Sequence, residues 1–256
     1  MTAIILPVLA GAAVGFLIGL TGMGGGALMT PFLILVMGVD PVLAVGTDLV
    51  FAAVTKIMGG IQHHRENHIS LRRVLWMAVG SIPASILGAQ FILRQAGDRL
   101  LVERTLPTIL GVVLIAVSLI LLARSFRWLG PKDEAVEARW PAPWALVSIG
   151  AVGGALVGMT SIGGGTVIMA LLLVFFSIPL NFMVGLDVLH GALLAVVTSF
   201  NYAVAGQTDW LLVGLLLTGS IPGAWLGARL INRIDLRIVR GILALLILLA
   251  GIDLLR

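Results

Sequence analysis

The stretch Gly19-Leu20-Thr21-Gly22-Met23-Gly24-Gly25-Gly26 decides the fold, because a counterpart recurs as Gly158-Met159-Thr160-Ser161-Ile162-Gly163-Gly164-Gly165. Each copy interrupts a long apolar run with a hydroxyl group and three consecutive glycines. In hydrocarbon an interrupted helix is tolerated only where protein or a watered cavity satisfies the freed backbone. Paired interruptions in two halves of a chain mark the binding site of a membrane carrier. A helix restarting after such a break presents free N–H groups and its positive dipole end, which suits an anion. Glycine lets that ligand approach the backbone closely. The bland alternative is close helix packing through small residues, but triple glycine costs helix stability and stands at both equivalent places.

Working outward, Asp48 and Asp187 differ by 187 − 48 = 139, and this offset holds without a gap from Gly15/Gly154 to Arg94/Arg233. Gly80-Ser81-Ile82-Pro83 meets Gly219-Ser220-Ile221-Pro222, and Leu87-Gly88-Ala89 meets Leu226-Gly227-Ala228. Each half therefore holds five segments: Ala3–Leu20, Ala27–Gly38, Pro41–Gly60, Val74–Leu93 and Arg104–Ala123, then Trp144–Met159, Thr166–Ser177, Pro179–Gly206, Trp210–Ile231 and Leu236–Leu255. At about 1.5 Å per residue, Ala27–Gly38 covers about 18 Å, short of a hydrocarbon core about 30 Å thick. The expected fold is an all-α integral membrane protein of two inverted repeats, residues 1–123 and 144–256. Broken or re-entrant helices lie at the glycine motifs, giving about 8–10 helical segments, and a polar cytoplasmic linker, residues 124–143, joins the halves.

Composition agrees. The 256 residues are 59% hydrophobic and 11% charged, with mean hydropathy +1.13, against about 25% charged in soluble domains. Cysteine is absent, which removes disulfides and thiolate metal sites. The net charge of +4 comes from basic residues lying between apolar segments, so nucleic acid is not an expected partner. Met1–Ala10 has no basic flank, and no cleaved signal is expected. If each broken pair returns to its starting side, Arg65, Arg72, Arg73, Arg124, Arg127, Lys132, Arg139, Arg229, Arg233 and Arg237 share one face. Arg94, Arg99, Arg104 and Arg256 remain on the other. The positive-inside rule then favours inverted halves with both termini outside the cytoplasm.

Expected substrate contacts are Thr21, Gly22, Gly24, Gly25 and Gly26 with Thr160, Ser161, Gly163, Gly164 and Gly165. A carboxylate within a membrane segment is costly and usually faces a cavity or relays protons, so Asp48 and Asp187 are candidates for coupling. The alternative is that each, close behind Pro41 or Pro179, caps a helix near the surface. Lys56, eight residues after Asp48, meets an anion or snorkels to the interface. His190, three residues after Asp187, shares its helical face as a proton partner or a hydrogen-bonded core histidine. Gln62 and Asn201 occupy equivalent places and read as ligand contacts or polar helix ends. The tract His63-His64-Arg65-Glu66-Asn67-His68 lacks a defined ligand spacing and reads as solvated loop, so neither a metal nor a cofactor is expected. No nucleophile triad, P-loop or HExxH motif appears. An intramembrane aspartyl protease is disfavoured by Gly-Thr-Asp and Gly-Leu-Asp at the two aspartates.

Together these motifs resemble the TauE/SafE sulfite exporter family, also called the toluenesulfonate uptake permeases, over nearly the whole chain. The residues that carry the resemblance are Thr21–Gly26, Ala44-Val45-Gly46-Thr47, His64-Arg65 leading to Asn67, the repeated Gly-Ser-Ile-Pro…Leu-Gly-Ala stretches, and Gly206-Gln207-Thr208-Asp209-Trp210. The resemblance implies a carrier, not an enzyme. Its substrates would be small sulfur-containing anions such as sulfite, sulfonates or sulfoacetate. The doubled helix break and the membrane aspartates add the expectation of alternating access across a bacterial inner membrane, with a proton or cation as co-ion at Asp48 and Asp187. A passive anion channel with the same pathway is the alternative, and a homodimer is left open as the assembly. The chain departs from the family at Asp48 and Asp187, where Ser often stands in the first motif, and at Ile69-Ser70-Leu71, where the first half lacks Val-Asp-Trp.

Overall fold

A computed structural model describes residues 2–21, 26–63, 71–127, 141–162, 166–175, 180–230 and 236–256. Those residues form ten helices and no strand. They are α1 (Thr2–Thr21), α2 (Gly26–Leu35), α3 (Pro41–His63), α4 (Leu71–Gln95), α5 (Arg99–Arg127), α6 (Pro143–Thr160), α7 (Val167–Phe175), α8 (Leu180–Val204), α9 (Trp210–Leu230) and α10 (Leu236–Leu254). Six of them, α3–α6, α8 and α9, contain stretches long and apolar enough to cross a membrane. Large apolar side chains such as Leu75, Val79 and Leu87 on α4, and Ile242, Leu245 and Leu249 on α10, face outward. That is the surface a bilayer solvates. α2 and α7 have 10 and 9 residues, about half a crossing at the usual helical rise.

Local chemistry sets the helix ends. Asp40 caps α3, its Oδ1 accepting from the amides of Val42 and Leu43 at 3.0 and 3.3 Å, and Pro41 supplies the fixed φ favoured at a first helical position. Asp209 caps α9 through Leu212 N at 2.9 Å. Gly206, at φ +72°, reverses the chain between α8 and that cap. The Asp209 amide donates in turn to Thr47 Oγ1 at 3.0 Å, while the Gln207 carbonyl occupies the space a side chain at Gly46 would need. Val45-Gly46-Thr47 and Gly206–Trp210, far apart in sequence, are thus two sides of one joint.

The packing interlocks the halves. α1 packs most extensively on α9, and α4 on α6. In the α4–α6 seam Met77 opposes Gly150, Ser81 opposes Gly154 and Ser85 opposes Gly158. The numbers rise together, so these helices run parallel. A Cβ at Gly80 would strike the Val147 carbonyl and one at Gly88 the Ala155 carbonyl; at the equivalent positions, Gly219 would strike Val8 and Gly227 would strike Phe16. Gly11 against Leu216 and Gly15 against Ser220 repeat Gly150 against Met77 and Gly154 against Ser81. The contacts keep the same register when the halves are exchanged. Backbones this close gain dispersion contacts along their whole length, the usual means of helix association in lipid.

At the centre α3 packs on α8. Gly46 lies against Tyr202 and Gln207, Ala52 and Ala53 cluster with Ala195, and Lys56 reaches Asp187. One series rises as the other falls, so these two equivalent helices are antiparallel. α5 and α10 close the outside, with Gly111 meeting Gly251 and Leu255. α5 continues to Arg127, into what the sequence suggested as linker, and residues 128–140 lie outside the described part.

Candidate functional site

The described end of the second glycine motif is a broken helix. α6 stops at Thr160, and Ser161 turns left-handed at φ 62° while its amide bonds to Val157 O. The Thr160 hydroxyl closes this turn, donating to Leu156 O at 2.7 Å and accepting from Ile162 N at 3.2 Å. Tyr202 of α8 steadies the same end through a buried O–H bond of 2.8 Å to Gly158 O. The chain restarts as α7, where Ala170 N already bonds to Thr166 O. In the first half α1 ends at Thr21 and α2 begins at Gly26. Ala27 at its start belongs to the same apolar cluster as Ile162, Leu49 and Tyr202, and Thr30 of α2 and Ser161 at the second break both lie at Asp48 of α3.

Along that pair lie two carboxylate centres, both buried. Asp48 lies inside α3, fully enclosed, and accepts a 2.5 Å hydrogen bond from Thr30 Oγ1 of α2 on its Oδ2. Ser161 stands beside it with its Oγ outside hydrogen-bonding geometry, and Asp48 Oδ1 likewise has no partner. Capping is therefore not the role of Asp48; Asp40 does that work. Asp187, on α8, forms an ion pair with Lys56 Nζ at 3.7 Å. One helical turn on, His190 Nε2 meets Ser81 Oγ of α4 at 2.7 Å, while its Nδ1 is buried without a partner. Lys56 acts electrostatically on Asp48, Asp187 and His190 together. It is 6% exposed and does not snorkel outward.

The repeat register shows how the centres diverged. Thr30 corresponds to Met169, Ser161 to Gly22, Lys56 to Ala195 and His190 to Phe51. Ser220, the counterpart of Ser81, is buried with its hydroxyl unpartnered; the residue standing where His190 would be is Phe51, which has no nitrogen to offer. The first centre is a lone carboxylate among hydroxyls, and the second is a carboxylate balanced by a lysine.

Of the residues singled out from sequence, Asp48, Asp187, Lys56, His190 and Ser161 come together along the α3–α8 seam. Thr160 has its hydroxyl engaged at its own helix end. Asn201 Nδ2 donates to Val197 O within α8 at 3.0 Å. Gly22, Gly24, Gly25, Gly163, Gly164 and Gly165 lie outside the described residues, as do the side chains of Thr21 and Gln62; Gly26 is the first residue of α2. Sequence reasoning missed Thr30 and Ser81. Both were detectable as hydroxyls adjoining a register mismatch: Thr30 where the other half has Met169, Ser81 across from the position where His190 replaces Phe. Among the described residues no group of three or more His, Asp or Glu side chains is placed to hold a metal ion.

A family model described as "Sulfite exporter TauE/SafE" matches residues 7–254. The chain is 36% identical over 249 residues to "Probable membrane transporter protein YjnA" of Bacillus subtilis (strain 168), covering 96% of this chain and 98% of that one. A "Probable membrane transporter protein" of Xylella fastidiosa (strain Temecula1 / ATCC 700964) is 28% identical over 233 residues, 91% of this chain and 86% of its own. "Probable membrane transporter protein YdhB" of Bacillus subtilis (strain 168) is 26% identical over 243 residues, 94% and 96% of the two chains. All three relatives carry the description of probable membrane transporters. No solved structure matches the chain.

Proposed function

The chain belongs to the sulfite exporter TauE/SafE family, and from that premise we propose that it is a secondary carrier exporting small sulfur-containing anions, of the class of sulfite, sulfonates and sulfoacetate. The anion sits between the two helix breaks. Backbone N–H groups around Gly24–Gly26 and Gly163–Gly165 are its donors, with Thr21, Thr160 and Ser161 beside them. The observation that carries this reading is the left-handed end of α6 at Ser161, placed inside the protein beside Asp48. A break buried at mid-chain, shielded from lipid and flanked by buried charge, suits an ion pathway better than a packing seam.

The halves are inverted in the membrane. Antiparallel packing of the equivalent helices α3 and α8, with Lys56 on Asp187 and Ala52 near Ala195, supports that orientation, as does the distribution of arginines. The chain is then multi-pass in a bacterial inner membrane with both termini outside the cytoplasm. Alternating access follows a boundary different from the one the sequence halves suggest. α1 is sealed to α9 and α4 to α6 backbone against backbone, so rocking one repeat against the other would break both seams. The rigid units are these cross-half pairs, and they move about the α3–α8 seam. Asp48 and Asp187 serve coupling to a proton or cation, and Lys56 supplies the positive charge along the anion's path.

Reconstituted protein tests this directly. Uptake of sulfite, sulfoacetate, taurine and sulfate is compared in proteoliposomes, followed by counterflow against preloaded substrate. A carrier for this class shows saturable uptake of at least one sulfur anion, accelerated by substrate on the far side. Fast flux without exchange would identify a passive anion channel instead, and no flux of any of the four would reject the substrate class.

A further inference from the structure

We propose that Asp48, Thr30 and Ser161 form a binding site for a monovalent alkali cation, and that the equivalent place in the second half has lost this capacity to Lys56. The proposal deepens the reading of the chain as a coupled carrier, and rests on it only for the use made of the ion. Three oxygens from three elements converge: the Asp48 carboxylate of α3, the Thr30 hydroxyl of α2, 2.5 Å from it, and the Ser161 hydroxyl at the end of α6. Asp48 Oδ1 and Ser161 Oγ are both buried with no partner at full hydrogen-bonding geometry, although the serine stands close enough to the carboxylate to interact with it. Enclosed polar atoms are rarely left so unless a ligand completes them. Ser161 follows the C-terminus of α6, whose dipole is negative there; unwound carbonyls and half-helix C-termini are where carriers coordinate sodium.

The charge and donor set define the ion. All donors are hard oxygens, which suit alkali and alkaline-earth cations rather than soft metals. One carboxylate balances one positive charge, and a divalent ion would bring an unpaired charge into a buried place at high cost. Among the described residues Asp48 has no cation within ion-pair distance, whereas Asp187 has Lys56 at 3.7 Å. The counterparts of Thr30 and Ser161 are Met169 and Gly22, neither of which offers a side-chain oxygen. The ammonium group of Lys56, reaching across from α3, thus stands at the second half's carboxylate, where the first half would take a metal cation from solution.

Binding is measured without transport. Purified full-length protein in nanodiscs is titrated with radioactive sodium at constant ionic strength, choline replacing sodium, and lithium and potassium are used as displacers. Wild type binds sodium saturably, and another alkali ion displaces it. Asp48→Asn abolishes binding. Ser161→Ala and Thr30→Val, which keep the carboxylate and so the native charge, each weaken it at least about tenfold, the loss expected for a donor to a charged ligand. Thr108→Ala, an exposed hydroxyl bonded within α5, leaves the affinity unchanged. Wild type that binds no displaceable sodium, or Asp48→Asn that binds it as wild type does, overturns the site. Loss of sodium binding with intact anion counterflow would reject the cation site alone; intact sodium binding without counterflow would reject the carrier reading alone.

Discussion

Replacing Lys56 by methionine isolates the buried ion pair of the α3–α8 seam. Lys56 Nζ lies 3.7 Å from Asp187 Oδ2, with the two side chains 7% and 1% exposed. Beyond that ion pair neither Asp187 oxygen has a hydrogen-bond partner among the described residues, so no second group takes up its charge when the lysine goes. Breaking a buried pair from one side costs about 3–5 kcal/mol, because the remaining charge is left uncompensated. For a chain of this size that is a melting temperature lowered by about 6–20 °C. The double variant Lys56→Met/Asp187→Leu removes both charges, and replacing a buried pair by apolar groups is often neutral or stabilising. The double variant therefore melts close to wild type, although anion counterflow stays lost in both proteins. The assay is thermal unfolding of the detergent-purified variants beside counterflow in liposomes. Equal destabilisation of single and double variants would refute the argument, since the cost would then lie in packing; so would full counterflow in the double variant.

Further outcomes follow from the packing. Gly80→Val and Gly219→Val place equivalent side chains against the carbonyls of Val147 and Val8. Each should cost about 1–3 kcal/mol or more in thermal unfolding, and a large difference between them would contradict the exchange of contacts between halves. Tyr202→Phe removes the bond to Gly158 O and orphans little else, for a loss of about 0.5–1.5 kcal/mol and a raised KM for the anion in liposome uptake. Asp209→Ala loses the α9 cap, about 1 kcal/mol, while Asp209→Asn keeps most of it; equal stability of the two would show that the cap is immaterial. His190→Phe recreates the Phe51 environment and leaves the Ser81 hydroxyl unpartnered, costing about 1–3 kcal/mol, and the further change Ser81→Ala should recover most of that loss.

Much of this architecture was legible because a repeat in register restricts each segment twice. All ten helices fall within a few residues of the apolar segments read from the sequence, and the break at Thr160–Ser161 stands where the hydroxyl and glycines put it. Which helices touch was not legible. A register names equivalent residues but not neighbours, so the crossing of α1 to α9 and α4 to α6 required coordinates. The aspartates were recognisable as costly residues in apolar segments, yet their different fates were not, because Lys56 reaches Asp187 across the antiparallel seam and not Asp48 on its own helix. Thr30 is one hydroxyl in a short apolar helix, with nothing in the sequence to pair it with Asp48, and the Gly206–Trp210 motif does not by itself identify Asp209 as a helix cap. The spacing puts His190 on the face of Asp187, but its partner Ser81 is hidden inside a Gly-Ser-Ile-Pro run that reads as packing.

An electron cryo-microscopy structure in nanodiscs, with the transported anion at saturating concentration, tests the central claim most directly. The account predicts density for the anion between the helix breaks, held by backbone amides around Gly24–Gly26 and Gly163–Gly165. An anion bound elsewhere, or continuous helix through both glycine clusters, would contradict it.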